Sequence, residues 1–146
     1  MTDSSLNKWL IVIPARLRST RLPEKPLADL AGKPLIVRVA ENLGPLARSG
    51  ALVVVATDSD KVMAVCSKAG IEATLTREDH PSGTDRCAEV AIAHKRPFIL
   101  NVQGDEPFVN TDDLRGLMNA MESSEIAEMG TLCFENTNRA MAASPN

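Results

Sequence analysis

The residues from Pro14 to Pro26 concentrate the chemistry of this chain. The run Pro14-Ala15-Arg16-Leu17-Arg18-Ser19-Thr20-Arg21-Leu22-Pro23-Glu24-Lys25-Pro26 holds three arginines, one lysine, two hydroxyls and three prolines. The protein has 16 basic residues in all, so a quarter of them sit here. Arg16 and Arg21 can fork onto phosphate oxygens, and Lys25 can supply a point charge. Ser19 and Thr20 add hydroxyl donors. The prolines limit the freedom of the segment, which lowers the entropy lost when it closes on an anion. The glycines of a Walker A loop or a GxGxxG turn are absent, which disfavours a P-loop or dinucleotide-binding protein. The plain alternative is a solvated basic connector.

Two later segments complement this loop. In Asn101-Val102-Gln103-Gly104-Asp105-Glu106-Pro107, a carboxylate follows a glycine and precedes a proline. Asp105 suits Mg²⁺, which takes one or two carboxylates together with substrate phosphate oxygens. Glu106 is read as an outer partner or as solvated. The plain alternative is a turn aspartate capping its own backbone. In Thr76 to Arg86, Ser82-Gly83-Thr84-Asp85 opens a helix whose amides can face an anion. Arg77 can contact a base, ribose or sugar acid. His80 precedes a proline and is read as structural rather than as a general base. Thr57-Asp58-Ser59-Asp60 is read as a turn and helix cap, with a nucleotide contact as the alternative.

The elements that must position these residues follow from hydrophobic period. Trp9 to Ile13 is a continuous apolar run, a buried strand. Pro34 to Arg48 carries a helical stripe of Leu35, Ile36, Val39, Leu43 and Leu46, with Pro34 in its first turn and Gly50 beyond its end. Ala51 to Ala56 is a second strand. Ser59 caps a helix closed by Gly70. Ile71 to Leu75 is a weaker strand, and a helix from Ser82 to His94 leads to a fourth, Pro97 to Val102. Thr111 caps a helix with Leu114, Leu117, Met118 and Met121 on one face, read as core. Met129 to Phe134 is a candidate strand and Asn136 to Ala143 a weak final helix. Strands alternating with helices predict an α/β fold, a doubly wound and mainly parallel sheet. In such a sheet, ligands bind beyond the carboxyl ends of the strands, where all three segments lie.

Composition sets the outer limits. The 146 residues are 44% apolar and 24% charged, ordinary for one globular domain and incompatible with a disordered tail or collagen-like fibre. The net charge of −3 lacks the footprint of a nucleic-acid binder. One Trp, three Phe and no Tyr leave little for base-stacking or carbohydrate-stacking surfaces. Cys66, Cys87 and Cys133 have no zinc spacing and are read as buried small hydrophobes in a reducing cytosol. No run approaches a membrane span and no signal peptide opens the chain, so a soluble cytoplasmic protein is expected.

Ile13 to Leu27 (IPARLRSTRLPEKPL) resembles the opening motif of the sugar-acid cytidylyltransferases. Three further blocks agree in order and spacing. They are Ala56-Thr57-Asp58; Thr76-Arg77 through His80 with Ser82-Gly83-Thr84-Asp85-Arg86; and Asn101 to Pro107. The last two favour the branch that uses 3-deoxy-manno-octulosonate (Kdo) over the sialic-acid branch. The resemblance implies a nucleotide-diphospho-sugar transferase-like, Rossmann-like fold. It implies that CTP and Kdo give CMP-Kdo and pyrophosphate, for lipopolysaccharide synthesis. Arg16, Ser19, Arg21 and Lys25 would then hold the CTP phosphates, with Arg16 also near the base. Arg77, Ser82 and Gln103 would shape the nucleotide and sugar pocket, and Asp105 would hold Mg²⁺. Arg16, Lys25 and Asp105 would be the catalytic set. Glu24 stands where many relatives have glycine and is expected to face outward. Family members are longer, and their second half supplies much of the sugar-acid pocket, another metal carboxylate and most of a homodimer contact. Residues 1–146 are therefore expected to form a single nucleotide-binding domain, the N-terminal half of a longer enzyme. The alternatives are a cytidylyltransferase for sialic acid or 8-amino-Kdo, and a non-catalytic CTP-binding module.

Overall fold

The computed structural model describes residues 5–133. These divide at Thr111 into two compact units, each taken by itself below. The elements are β1 (Trp9–Ala15), β2 (Asp29–Leu30), β3 (Lys33–Pro34), α1 (Leu35–Asn42), α2 (Gly44–Arg48), β4 (Leu52–Thr57), α3 (Asp60–Lys68), β5 (Ala73–Leu75), α4 (Gly83–His94), β6 (Phe98–Asn101) and α5 (Thr111–Ser123). A 3₁₀ turn covers Lys25–Leu27.

The main sheet has the order β5-β4-β1-β6, and every pair in it is parallel. β1 is central, and Leu10, Ile11, Val12 and Ile13 are fully buried. Successive side chains of a strand point to opposite faces, so burial of all four requires cover on both. Each such side chain contributes roughly 1.5–3 kcal/mol relative to exposure. On one face Leu10 and Val12 join Val54 and Ala56 of β4 and Cys87 and Val90 of α4. α1 and α3 contact each other, and α3 also contacts β4 and β5. Right-handed crossovers from β1 to β4 to β5 put both helices opposite α4. The expected doubly wound parallel sheet is the observed one. Trp9 and Phe98 are partners across β1 and β6, and their rings stack with centroids 4.9 Å apart, worth about 0.5–1.5 kcal/mol beyond burial.

Because the four strands run the same way, their carboxyl ends share one edge. The segments after Ala15, Thr57, Leu75 and Asn101 gather there, and they carry the residues singled out above.

Several expectations need correction. The helix expected from Pro34 to Arg48 is two helices, α1 and α2, broken at Leu43-Gly44. Pro45 has no N–H for the next helical bond and disfavours helical geometry at Gly44. Pro34 is not in the first turn. It ends β3 and precedes α1 in extended conformation. A β2–β3 hairpin around Ala31-Gly32 was not expected at all, because strands of two residues leave no period to read. Residues 129–133 form no strand, and Met129 is almost fully exposed, since an apolar run becomes a strand only beside a partner. Phe134 and the helix expected over Asn136 to Ala143 lie outside the described residues. In the second unit, α5 buries Leu114 and Met118, one turn apart.

Glu24 opens the 3₁₀ turn at φ 54°, ψ 33°, the left-handed region that favours glycine. Its carboxylate meets Lys61 at 2.7 Å on the exterior, as expected of its direction. The strain costs about 1 kcal/mol and the exposed pair returns a fraction of that. Glu24→Gly is therefore expected to leave stability nearly unchanged, because the relieved strain is offset by the lost pair and by glycine's own entropy cost of roughly 0.5–1 kcal/mol, read as an unchanged Tm.

Cys66 and Cys87 are buried, as expected, but Cys133 is exposed. Burial pushes the thiols of Cys66 and Cys87 up to about 11 and about 12. Only Cys133 should react rapidly with a thiol reagent in the native protein at pH 8, with the other two following on unfolding.

Candidate active site

The segments after β1, β5 and β6, with the start of α4, line a cleft of about 280 Å³. The segment after β1 contributes Arg16, Arg18, Ser19 and Lys25. The start of α4 contributes Ser82, Gly83 and Arg86. The segment after β6 contributes Gln103, Gly104 and Asp105, and His80 closes one side. Two glycines permit this convergence. A Cβ on Gly104 would lie 2.7 Å from the Pro14 carbonyl oxygen, and one on Gly83 3.3 Å from the Pro14 ring. The loops of β6 and α4 thus lie directly against the end of β1.

Of the site residues expected from sequence, Arg16, Ser19, Lys25, Ser82, Gln103 and Asp105 line this one cleft. Arg21 and Arg77 do not. Arg21 is exposed on the outer part of the loop. Arg77 pairs with Asp79 at 3.3 Å in solvent. Ser82 is committed to the helix: its hydroxyl accepts from the Asp85 amide and donates to the Asp85 carboxylate, a capping arrangement. α4 therefore begins at the cleft with its positive end inward. Lys25 Nζ donates to Asp105 Oδ2 at 2.6 Å. Both side chains are well exposed, at 39% and 49%, so the pair is worth at most about 1 kcal/mol and is easily exchanged. Arg16 and Arg18 have no acidic partner among the described residues. On a chain of net charge −3, the cleft is locally cationic.

Sequence reasoning missed three features. Arg18 was counted in the loop but given no role, and it lines the cleft. Arg86 was quoted only as the end of a motif, yet it is 1% exposed and forms part of the cleft wall. Its Nη2 meets Asp58 Oδ2 at 3.3 Å, so Asp58 is a buried ion-pair partner as well as part of the expected turn. A basic residue four places after a helix cap was the available signal, since its position lies in the first turn, at the cleft end of the helix. His80 behaves as expected of a structural histidine. It is buried and its Nε2–H donates to Glu89 Oε2. That hydrogen bond, with one from the Arg77 amide, holds the Glu89 carboxyl below its usual range.

Asp105 is the one carboxylate lining the cleft, and no cluster of three His, Cys, Asp or Glu occurs among the described residues. A tightly held resident ion is not what this donor set fits. A Mg²⁺ that arrives with phosphate oxygens and takes one carboxylate is what it fits.

The profile of the cytidylyltransferase family matches residues 10–145. Over 148 aligned residues, 99% of this chain, it is 46% identical to a 3-deoxy-manno-octulosonate cytidylyltransferase of Polynucleobacter necessarius subsp. necessarius. Over 105 residues, 69% of this chain, it is 57% identical to the protein of that name from Polynucleobacter asymbioticus. These matches cover 57% and 40% of the two relatives, so the chain spans about half their length. Among solved structures, a CMP:2-keto-3-deoxy-manno-octonic acid synthetase complexed with CTP superposes with a TM-score of 0.76 at 42% identity, over 81% of this chain and 48% of that one. A cytidylyltransferase from Leptospira borgpetersenii superposes at 0.69 and 23% identity, over 81% of this chain and 50% of that one, a likeness of fold.

Proposed function

The chain belongs to the cytidylyltransferase family, and on that premise we propose that its cleft binds CTP for transfer of CMP to Kdo, with release of pyrophosphate. The observation that carries the reading is the cleft itself: unpaired Arg16 and Arg18, an exchangeable Lys25 and the start of α4 converge on one carboxylate, Asp105. The names of the two Polynucleobacter relatives and of the CTP-bound structure support the choice of nucleotide and sugar.

The reaction is a direct, in-line transfer. The anomeric hydroxyl of the sugar acid attacks the α-phosphorus and pyrophosphate leaves. The protein's part is placement and electrostatics rather than covalent catalysis. Arg16 and Arg18 hold the phosphates. Lys25 leaves Asp105 for a phosphate oxygen and neutralises charge rising on the leaving group. Gln103, at the cleft rim, offers an amide to the nucleotide or sugar. Mg²⁺ when bound, held by Asp105 and phosphate oxygens, supplies further neutralisation of the triphosphate. The reading carries with it a homodimeric, cytoplasmic enzyme of lipopolysaccharide precursor synthesis. No helix among the described residues is long and apolar enough to cross a membrane.

The test is pyrophosphate release from CTP and Mg²⁺ with Kdo, sialic acid or 8-amino-Kdo. Release dependent on Kdo is expected. Release with another sugar acid instead would reassign the substrate, and CTP binding without release in any mixture, even with the second half found in the relatives restored, would mark a binding module.

A further inference from the structure

We propose that the buried Asp58–Arg86 pair is a positioning device for the phosphate-binding loop, setting Arg16 and Arg18 through the Leu17 amide between them. Asp58 uses its two oxygens for two jobs. Oδ1 accepts from Leu17 N–H at 3.1 Å, and Oδ2 meets Arg86 Nη2 at 3.3 Å. Arg86 Nη1 in turn donates to Thr76 Oγ1 and to the Arg77 carbonyl at 3.0 Å. One guanidinium on α4 therefore ties together the segments after β4 and β5, and Asp58 extends the tie to the segment after β1.

From Leu17 to Arg21, the Leu17–Asp58 bond is the one backbone hydrogen bond that reaches another part of the fold among the described residues; the neighbouring bond, Leu22 N–H to Ser19 Oγ, is internal to the loop. Remove it and no other backbone hydrogen bond from Leu17 to Arg21 ties this segment to the rest of the fold among the described residues. A purely structural role explains the pair poorly. The side chains of Arg86 and Asp58 are only 2% and 8% exposed, and burying two charges costs about as much as their attraction returns, so an apolar pair would stabilise the fold as well. What an apolar pair cannot do is accept the Leu17 N–H. The chain thus keeps a buried carboxylate at the place where a loop amide must be held, and a buried guanidinium that holds its second oxygen.

The inference rests on the CTP reading, and the experiment separates the two. Affinities for CTP and for CMP are measured in Mg²⁺, well below Tm, for the wild type and Asp58→Asn. Asparagine keeps the shape but has one acceptor oxygen, which can serve Leu17 or Arg86 but not both. The preference for CTP over CMP is expected to fall about tenfold, because the loss falls on residues assigned above to the phosphates, of which CTP offers three and CMP one. A lowered Tm with an unchanged preference would overturn the inference and leave a structural pair. A wild type without any preference for CTP over CMP would overturn the CTP reading itself. Should Asp58→Asn not fold, Thr76→Val carries the same test. It removes one Arg86 hydrogen bond, together with the one Thr76 donates to the Thr57 carbonyl, and leaves the charges; a fall of about threefold is expected, and no fall overturns the inference.

Discussion

Replacing Lys25 with alanine is expected to weaken binding of Mg²⁺–CTP by at least about tenfold while lowering Tm by no more than about 2–4 °C. The two halves of that expectation have separate causes. In the free protein Lys25 pairs with Asp105 across a well-exposed edge of the cleft. Such a pair contributes at most about 1 kcal/mol, and for a chain of this size 1 kcal/mol moves Tm by only about 2–4 °C. With nucleotide bound, the same ammonium faces a polyanion inside a cleft that already holds Arg16 and Arg18. A charge-assisted hydrogen bond there is worth about 1.5–3 kcal/mol, a factor of roughly 10–100. Lys25→Arg should recover part of the affinity, because charge is kept but the compact point contact is not. Unchanged affinity in Lys25→Ala would remove the loop from the site. The comparison is made by titration calorimetry on the two variants and the wild type.

Gly104→Ala is expected to be the most damaging small substitution. Its Cβ would lie 2.7 Å from the Pro14 carbonyl oxygen, an atom of the central strand that cannot swing aside. The segment after β6 must move instead, at a cost of about 1–3 kcal/mol, or several degrees of Tm. Asp105 is the next residue, so the carboxylate moves with it, and the dependence of nucleotide binding on Mg²⁺ should weaken as well. Gly116→Ala is the matched control. Gly116 lies inside α5 with open space around its missing Cβ, so alanine there should stabilise by about 0.5–1 kcal/mol. Thermal melts of the two variants should shift in opposite directions. A Gly104→Ala protein with wild-type Tm and wild-type Mg²⁺ dependence would contradict the close approach.

The parallel sheet was legible because its strands are buried on both faces. Trp9 to Ile13 and Leu52 to Ala56 read as apolar runs with no alternation. Once they are parallel, their ends must share an edge, so the basic loop and Asp105 meet without any knowledge of side-chain geometry. Side-chain direction was not legible. Arg21 and Arg77 look equivalent to Arg16 in a list of residues, yet Arg21 does not line the cleft, and Asp79 engages Arg77 in solvent. The Asp58–Arg86 pair was hidden for a different reason. Asp58 reads as part of a turn and helix cap, and nothing in composition or period signals that it and Arg86, 28 positions apart, bury each other. Ser82 was read correctly as a cap, and that role already occupies the hydroxyl counted as a ligand donor. The apolar stretch from Met129 misled because a strand's pattern cannot reveal whether a neighbour exists to pair with it.

The central claim is that the cleft at the strand ends is a site for cytidine triphosphate. The most direct measurement is a set of thermal melts with Mg²⁺ and each of CTP, UTP, ATP and GTP at equal concentration. Selective binding raises Tm by mass action. A rise with CTP well above the other three is the predicted result. Equal rises with all four, or no rise with any, would contradict it.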